Sequence, residues 1–204
     1  MMGKRQQIVT TVLWGITVFA MLGLVGTGLW ATRARGRTLP VYFEAPHFEL
    51  TDQDNRRVTD DQLRGSVWVA MVFFTHCPDI CPGMMGRLVE LQKAVTDPKV
   101  KLVSFSIDPE RDTPEQLKRY ADRLGADSTR WFLLTGPKDQ MFAAAEWLKL
   151  AAEPAQGNKP ISHTNRMLLI DQSGNARGVY DSSDDAAMSK LASDASMLAR
   201  EGAR

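Results

Sequence analysis

Eight consecutive apolar residues, Val67–Phe74, constrain the fold of this chain more than any other feature. The run does not alternate between apolar and polar positions, so a strand formed from it would be apolar on both faces. Such strands belong in the middle of a largely parallel sheet that is covered on both sides. The run therefore predicts an α/β fold with this strand near the centre of the sheet.

The remaining patterns predict strands and helices that alternate along the chain. Strands are expected at Val100–Ile107, Trp131–Leu134, Met167–Ile170 and Ala176–Tyr180. Helices are expected between the first strands and after the last one, with Pro82 and Pro114 at first helical positions and Ser183-Asp184-Asp185 as the final cap. A small hairpin around Asp52–Asn55 precedes them. This order predicts a thioredoxin-like fold, a mixed sheet flanked by helices with an N-terminal hairpin extension.

The N-terminal region has a different character. Residues 8–30 are apolar or small and carry no charge, which is long enough to cross about 30 Å of hydrocarbon as a helix. The run is longer than the apolar part of a cleaved secretory signal, and no clear cleavage site follows it. We expect one transmembrane anchor at 8–30, preceded by an N-terminal segment at 1–7 and followed by a linker at 31–46 and a thioredoxin-like domain at 47–201. Basic residues lie on both sides of the anchor, so counting positive charges leaves its orientation open.

Charge separates the two parts of the chain and limits the possible partners. The first 40 residues carry five of the 25 basic side chains and none of the 24 acidic ones, which leaves 20 basic against 24 acidic residues beyond them. A net charge of about −4 on the folded part argues against nucleic acid as a partner. The lipid bilayer, contacted through residues 8–30, is the expected partner of the N-terminal region.

The only two cysteines, Cys77 and Cys81, lie directly after the apolar run at the predicted turn from strand to helix. Two such thiols can close a disulfide, the default in an exported domain, or bind a soft metal ion. The positive end of the following helix favours thiolates, which both chemistries need. Three residues separate the cysteines, one more than in the common disulfide oxidoreductase motif, which leaves room for an ion. The cysteines alone leave both possibilities open.

Histidine is the natural third donor for a Cu(I) ion held by two thiolates, and the chain has three. His163 precedes the strand Met167–Ile170, and in a thioredoxin-like layout the loop before that strand faces the cysteine turn, so its imidazole could join the sulfurs. His76 is next to Cys77, but its side chain should point away. A lone histidine near a strand is more often a surface or capping residue than a ligand.

An acidic segment, Asp108–Asp112, follows the second predicted strand. It lies in a loop just before a helix, where carboxylates commonly cap the helix or are solvated. We therefore expect these side chains to act as caps and surface charges.

Four blocks of the sequence, taken together, are more specific than any one of them. They are Phe74–Pro82 with its CPDICP, Ser106–Glu115 with its DPERDTPE, Leu134-Thr135-Gly136, and His163 followed by Leu169–Gly174. In this order and at these separations they resemble the Sco/SenC family of copper-binding cytochrome oxidase assembly proteins. The resemblance covers roughly residues 44–200.

The resemblance implies a membrane-anchored metallochaperone with a thioredoxin-like domain. One copper ion, as Cu(I) and in a second state as Cu(II), would be bound by Cys77, Cys81 and His163. Copper would come from a donor protein and pass to the copper-centre subunit of cytochrome c oxidase, whose dinuclear centre the family helps to build. The family's copper domain lies on the outer side of the membrane. No Arg-rich, Ser-rich presequence precedes Ile8, so we expect a bacterial cytoplasmic membrane. The resemblance then implies a cytoplasmic N-terminus at 1–7 and the domain on the periplasmic face.

Two other functions use the same fold. Cys77 and Cys81 could be the catalytic redox pair of a thiol-disulfide reductase that acts on the cysteines of the oxidase copper site. A peroxidase of the peroxiredoxin type is less consistent with the sequence, because those enzymes usually separate the attacking and resolving cysteines widely. Whether the protein is an enzyme is thus left open by the sequence.

Overall fold

The computed structural model describes residues 14, 15, 17, 21, 38–77, 80–150, 152, 153 and 162–202. The chain divides into two compact units, Met1–Leu39 and Pro40–Arg204. Most of the predicted anchor at 8–30 lies outside the described residues. Among the helices of the described part, none is long and apolar enough to cross a membrane.

The second unit begins with a short hairpin and then alternates strands and helices. Its elements, in chain order, are β1 Glu49–Thr51, β2 Arg57–Thr59, α1 Asp60–Leu63, β3 Val67–Phe73, α2 Ile80–Ala94, β4 Val100–Ser106, α3 Pro114–Leu124, β5 Trp131–Leu134, α4 Lys138–Trp147, β6 Ala152–Glu153, β7 Ser162–His163, β8 Arg166–Ile170, β9 Ala176–Asp181 and α5 Asp185–Glu201. Five of these strands form one mixed sheet in the order β5-β4-β3-β8-β9. The predicted fold class, a mixed sheet flanked by helices, is confirmed.

The apolar run forms the centre of this sheet, as its pattern predicts. All seven residues of β3 are buried. β3 pairs in parallel with β4 along its full length and antiparallel with β8 on its other side. A strand with neighbours at both edges and helices over both faces has no solvent-facing position, which explains why the run contains no polar residue.

Turns and helix caps agree with the sequence at most positions. Asn55 adopts a left-handed conformation with φ of 59° in the first hairpin, which asparagine tolerates well. Gly125 ends α3 at φ of 66°, and Asp184 caps α5 through the amides of Ala186 and Ala187. Thr113 caps α3 through the amide of Gln116, and the side-chain oxygen of Gln116 accepts hydrogen bonds from Arg119.

Two other details differ from the sequence-based expectation. α2 begins at Ile80, so Pro82 is its third residue and not its first. Proline is compatible with that position because the N–H groups of the whole first turn have no intrahelical partner. Part of the expected linker is bound to the domain: Tyr42 donates its amide to Ala176, and Ala45 donates to Gly174, so this segment runs beside β9.

Candidate metal centre

The cysteine turn lies at the carboxyl end of the central strand. Phe74 follows β3 and is buried, and the chain then turns through Thr75 and His76 to Cys77. Cys81 is the second residue of α2 and is only 1% exposed, whereas Cys77 is half-buried. One sulfur therefore belongs to the core and the other lies nearer the surface.

The two cysteines are both free thiols whose side chains lie close together. Burial, followed by the interaction with the Cys77 side chain, raises the pKa of the Cys81 thiol well above its ordinary value, while the interaction with the backbone of Phe74 opposes the rise. The expectation of a thiolate at both positions is thus wrong for Cys81 in the metal-free protein. The loss of hydration on burial raises the pKa of Cys81 more than the positive end of α2 lowers it, because Cys81 lies within the first helical turn and is covered by the core.

A buried carboxylate lies beneath the turn. Asp112 is fully buried, and its Oδ1 accepts the hydroxyl of Thr75 at 2.5 Å. Its Oδ2 accepts the amide of Thr75 at 3.0 Å and the hydroxyl of Ser106 at 2.6 Å. The expectation that the acidic segment consists of caps and solvated charges is wrong for this residue. Sequence pattern did not reveal it, and only its place in the DPERDTPE block could have drawn attention to it.

Asp108, at the start of the same acidic segment, is also largely withdrawn from water. Burial raises the pKa of its carboxyl group, and the nearby Arg111, at 3.7 Å, opposes the rise. Its amide donates to the Ser106 hydroxyl at 3.2 Å. The acidic segment is therefore built into the loop around Ser106, close to the cysteine turn.

His76 is exposed and its Nδ1 lies 2.9 Å from the hydroxyl oxygen of Thr75. Since that hydroxyl gives its proton to Asp112, it can only accept from His76. This fixes the proton of the neutral imidazole on Nδ1 and leaves the lone pair on Nε2. The prediction that His76 points away from Cys77 is consistent with this bond to the residue on its other side.

Tyr120 of α3 completes the surroundings of the sulfurs. Its ring stacks on Phe73 with centroids 5.9 Å apart. Burial raises the pKa of its hydroxyl to about 12; interactions with Cys81, Cys77 and Asp112 act in the same direction, and Arg123 opposes the rise. An aromatic wall and a buried carboxylate thus lie on the inner side of the cysteine pair.

His163, the predicted nitrogen donor, is the second residue of β7. Its backbone pairs with Ala152 of β6, in a two-stranded sheet separate from the main one. Its side chain lies outside the described part of the structure, and so does the loop 154–160. The convergence of His163 with Cys77 and Cys81 therefore stays a prediction.

One group of side chains in the described ranges brings potential metal ligands within 4.8 Å of one another, and it involves none of the predicted ligands: His47, Asp60 and Asp61. Local structure accounts for it. Asp60 accepts the Phe48 amide at 3.1 Å and contacts His47 Nδ1 at 2.8 Å, while Asp61 pairs with Arg64 at 3.3 Å. These carboxylates hold the first hairpin against α1.

Known proteins share both the sequence and the fold described above. A profile of the SCO1/SenC family matches residues 38–198. A SCO1 protein homolog of Bacillus subtilis is 30% identical over 160 residues, which cover 76% of this chain and 82% of that protein.

Two solved structures extend the likeness to the fold. BsSco, described as a member of the Sco family of cytochrome c oxidase assembly proteins with a disulfide switch, has a TM-score of 0.71 at 28% identity, covering 80% of this chain and 98% of its own. ScoI of Bradyrhizobium japonicum with copper bound has a TM-score of 0.65 at 27% identity, covering 76% and 99%. The fold, the cysteine turn after the central strand and the profile match agree: this chain belongs to the SCO1/SenC family.

Proposed function

We propose that this protein is a copper metallochaperone that binds one copper ion through Cys77, Cys81 and His163 and delivers it during assembly of the copper centre of cytochrome c oxidase. The observation that carries the proposal is the contact between two free thiols at the end of the central strand, one buried and one half-exposed. The copper is cargo, taken from a donor protein and released to the oxidase subunit.

The donor set fits copper better than a harder cation. Two thiols favour Cu(I), and an imidazole is a good third ligand for either oxidation state. Ligands must be deprotonated to bind a metal, so copper binding releases the proton that burial holds on Cys81. The ligand set is small and one cysteine is half-exposed, which supports transfer of the ion by stepwise ligand exchange.

Similarity to known proteins supports the same cargo and target. ScoI of Bradyrhizobium japonicum holds copper, and BsSco is described as belonging to cytochrome c oxidase assembly proteins. In both comparisons the matched region covers almost the whole length of the solved structure. The copper-centre subunit of the oxidase is accordingly the proposed recipient.

Copper stoichiometry on the reduced full-length protein tests the proposal. We expect one copper per wild-type chain and loss of tight binding in Cys77→Ser, Cys81→Ser and His163→Ala. His47→Ala is the matched histidine control, because His47 is exposed and contacts Asp60, and it should bind like wild type. Copper binding near the wild-type level in all three ligand variants would contradict the proposal.

A thiol-disulfide reductase is the second candidate, and the thiol contact itself favours it, as does the disulfide switch described for BsSco. In this role Cys77 and Cys81 would donate two electrons and two protons to a disulfide of the oxidase subunit and become a disulfide themselves. His163→Ala should then lose tight copper binding and keep thiol-disulfide exchange. A cysteine pair that mild reagents cannot cycle would exclude this function.

The cellular setting belongs to the same proposal. Residues 8–30 would anchor the chain in a bacterial cytoplasmic membrane, and the copper domain would lie in the periplasm. Protease added to intact spheroplasts should digest the folded domain and leave a protected N-terminal fragment. Protection of the whole chain would contradict this orientation.

A further inference from the structure

Asp112 is a charged side chain in an unusual position. It is fully buried, and in the described part of the chain no lysine, arginine or histidine forms an ion pair with it. Removing a carboxylate from water is strongly unfavourable unless its oxygens accept hydrogen bonds. Three donors meet this need: the amide and hydroxyl of Thr75 and the hydroxyl of Ser106. An apolar residue would fill such a position at lower cost if it served packing alone.

The donors identify what Asp112 holds in place. Thr75 lies two residues before Cys77, and Asp112 fixes both its backbone and its side chain. Ser106 is the last residue of β4, the strand beside β3. The carboxylate therefore ties the start of the cysteine turn to the end of the neighbouring strand, although Asp112 lies 37 positions beyond Thr75 in the sequence.

Asp112 also supplies charge. Thr75, which donates to both of its oxygens, lies two residues before Cys77, so the buried carboxylate lies close to the cysteine turn in a region with little water. A negative charge in such a region attracts a cation, and the attraction grows with the charge of the ion. Cu(II) should gain more from it than Cu(I).

We propose that Asp112 is a positioning residue of the copper site: through Thr75 it holds the cysteine turn in the geometry that binds copper, and its buried charge favours the bound ion, Cu(II) above Cu(I). This inference rests on the proposed copper-binding function. Groups that orient metal ligands without touching the metal commonly affect affinity about 10-fold to 100-fold. Asp112 would affect copper affinity less directly, because it holds the backbone at Thr75, two residues before the ligand Cys77.

The test compares three single variants of the full-length protein with the wild type and with Thr75→Ser, which keeps the hydroxyl at position 75. Asp112→Asn keeps the size of the side chain and removes its charge. Thr75→Val removes the hydroxyl and keeps the charge, and Ser106→Ala removes a hydrogen bond to Asp112 that is not on the cysteine turn. Cu(I) and Cu(II) affinities are measured by competition with chelators, and the free energy of unfolding is measured on the metal-free protein.

Asp112→Asn should weaken Cu(II) binding about 10-fold to 100-fold and Cu(I) binding clearly less. Thr75→Val should weaken both to a similar degree, and Thr75→Ser should restore them. Ser106→Ala should lower stability and weaken the binding of both ions less than Thr75→Val does, because both contacts between Asp112 and Thr75 remain. An Asp112→Asn protein that is destabilised but has an unchanged ratio of Cu(II) to Cu(I) affinity would show a purely structural role and overturn the inference.

If Asp112→Asn does not fold, Thr75→Val and Ser106→Ala decide the question. Equal copper affinities in these two variants would overturn the positioning role, and weaker binding in Thr75→Val than in Ser106→Ala would support it. Failure of the wild-type protein to bind copper would instead overturn the proposed function, so the two failures are distinguishable.

Discussion

The two halves of the predicted copper site are attached to the fold in different ways. The cysteine half follows β3, whose seven residues are all buried and paired on both sides, and Cys81 is itself part of α2. The histidine half is attached at His163 by a hairpin of two residue pairs, in a sheet separate from the main one. The sulfurs are thus positioned by the folding of the core, whereas the nitrogen donor depends on a small local structure.

This difference has a consequence for copper transfer. A ligand set with one part fixed in the core and another on a short hairpin can release the nitrogen first and keep the ion on the sulfurs.

Ligand variants should separate the two halves most strongly. Cys81→Ser removes the buried sulfur and should abolish both tight copper binding and thiol-disulfide cycling. His163→Ala should lose tight binding as well, but its two sulfurs should still retain Cu(I) weakly, because thiolates are the preferred donors of that ion. Chelator competition with Cu(I) measures both. Equal residual affinity for Cu(I) in Cys81→Ser and His163→Ala would contradict the different roles assigned to the sulfur and nitrogen donors.

Core substitution should affect the cysteine half through global stability. Leu88 lies on α2 and is fully buried, so Leu88→Ala should lower the free energy of unfolding by about 2–5 kcal/mol. Lys93→Ala, at an exposed position of the same helix, should change it by no more than about 0.5 kcal/mol. Denaturant unfolding of the metal-free protein gives both values. A small effect at Leu88 would mean that α2 is not fixed by the core.

The buried thiol should make stability depend on pH. The folded protein holds the pKa of Cys81 above its ordinary value, so below about pH 8.5 the thiol is protonated in both states and its contribution is fully present. At higher pH the unfolded chain ionises first and stability falls. One such group gives a loss of about 1.4 kcal/mol between pH 7 and pH 9.5.

The measurement is denaturant unfolding of the reduced, metal-free protein across this pH range, with Cys81→Ser as the control. The control should lack this part of the decrease. Parallel curves for the two proteins would show that the Cys81 thiol is not held protonated by the fold.

Changes in the histidine hairpin should have the smallest effect on stability. Ala152 pairs with His163, and Ala152→Pro removes a backbone donor from β6. Because this hairpin lies outside the main sheet, the free energy of unfolding should change by less than about 1 kcal/mol. Copper affinity should fall, and Ala152→Gly should bind like wild type. A large loss of global stability in the proline variant would contradict the comparison.

The sequence predicted those parts of the molecule that short-range patterns control. The uninterrupted apolar run required a central strand, and the turn and cap residues placed the hairpins and α3 correctly, because their preferences act within a few residues. The start of α2 was predicted two residues late, since Pro82 is compatible with any position of the first turn.

Features that depend on three-dimensional packing were not predicted. The acidic segment reads as a loop, and nothing local shows that Asp112 enters the core to meet Thr75, 37 residues earlier. The protonation of Cys81 was misjudged for a similar reason, because burial is a property of the assembled fold. The place of His163 before β8 made it a candidate donor, the family resemblance implied its ligand role, and that role stays a prediction.

X-ray absorption at the copper edge of the Cu(I)-loaded, full-length protein tests the central claim most directly, because it counts the donor atoms around the ion. We predict two sulfur donors and one imidazole nitrogen in the wild-type protein, and two sulfur donors without that nitrogen in His163→Ala. Identical spectra for the two proteins, or a wild-type site with no imidazole, would contradict a copper centre built from Cys77, Cys81 and His163.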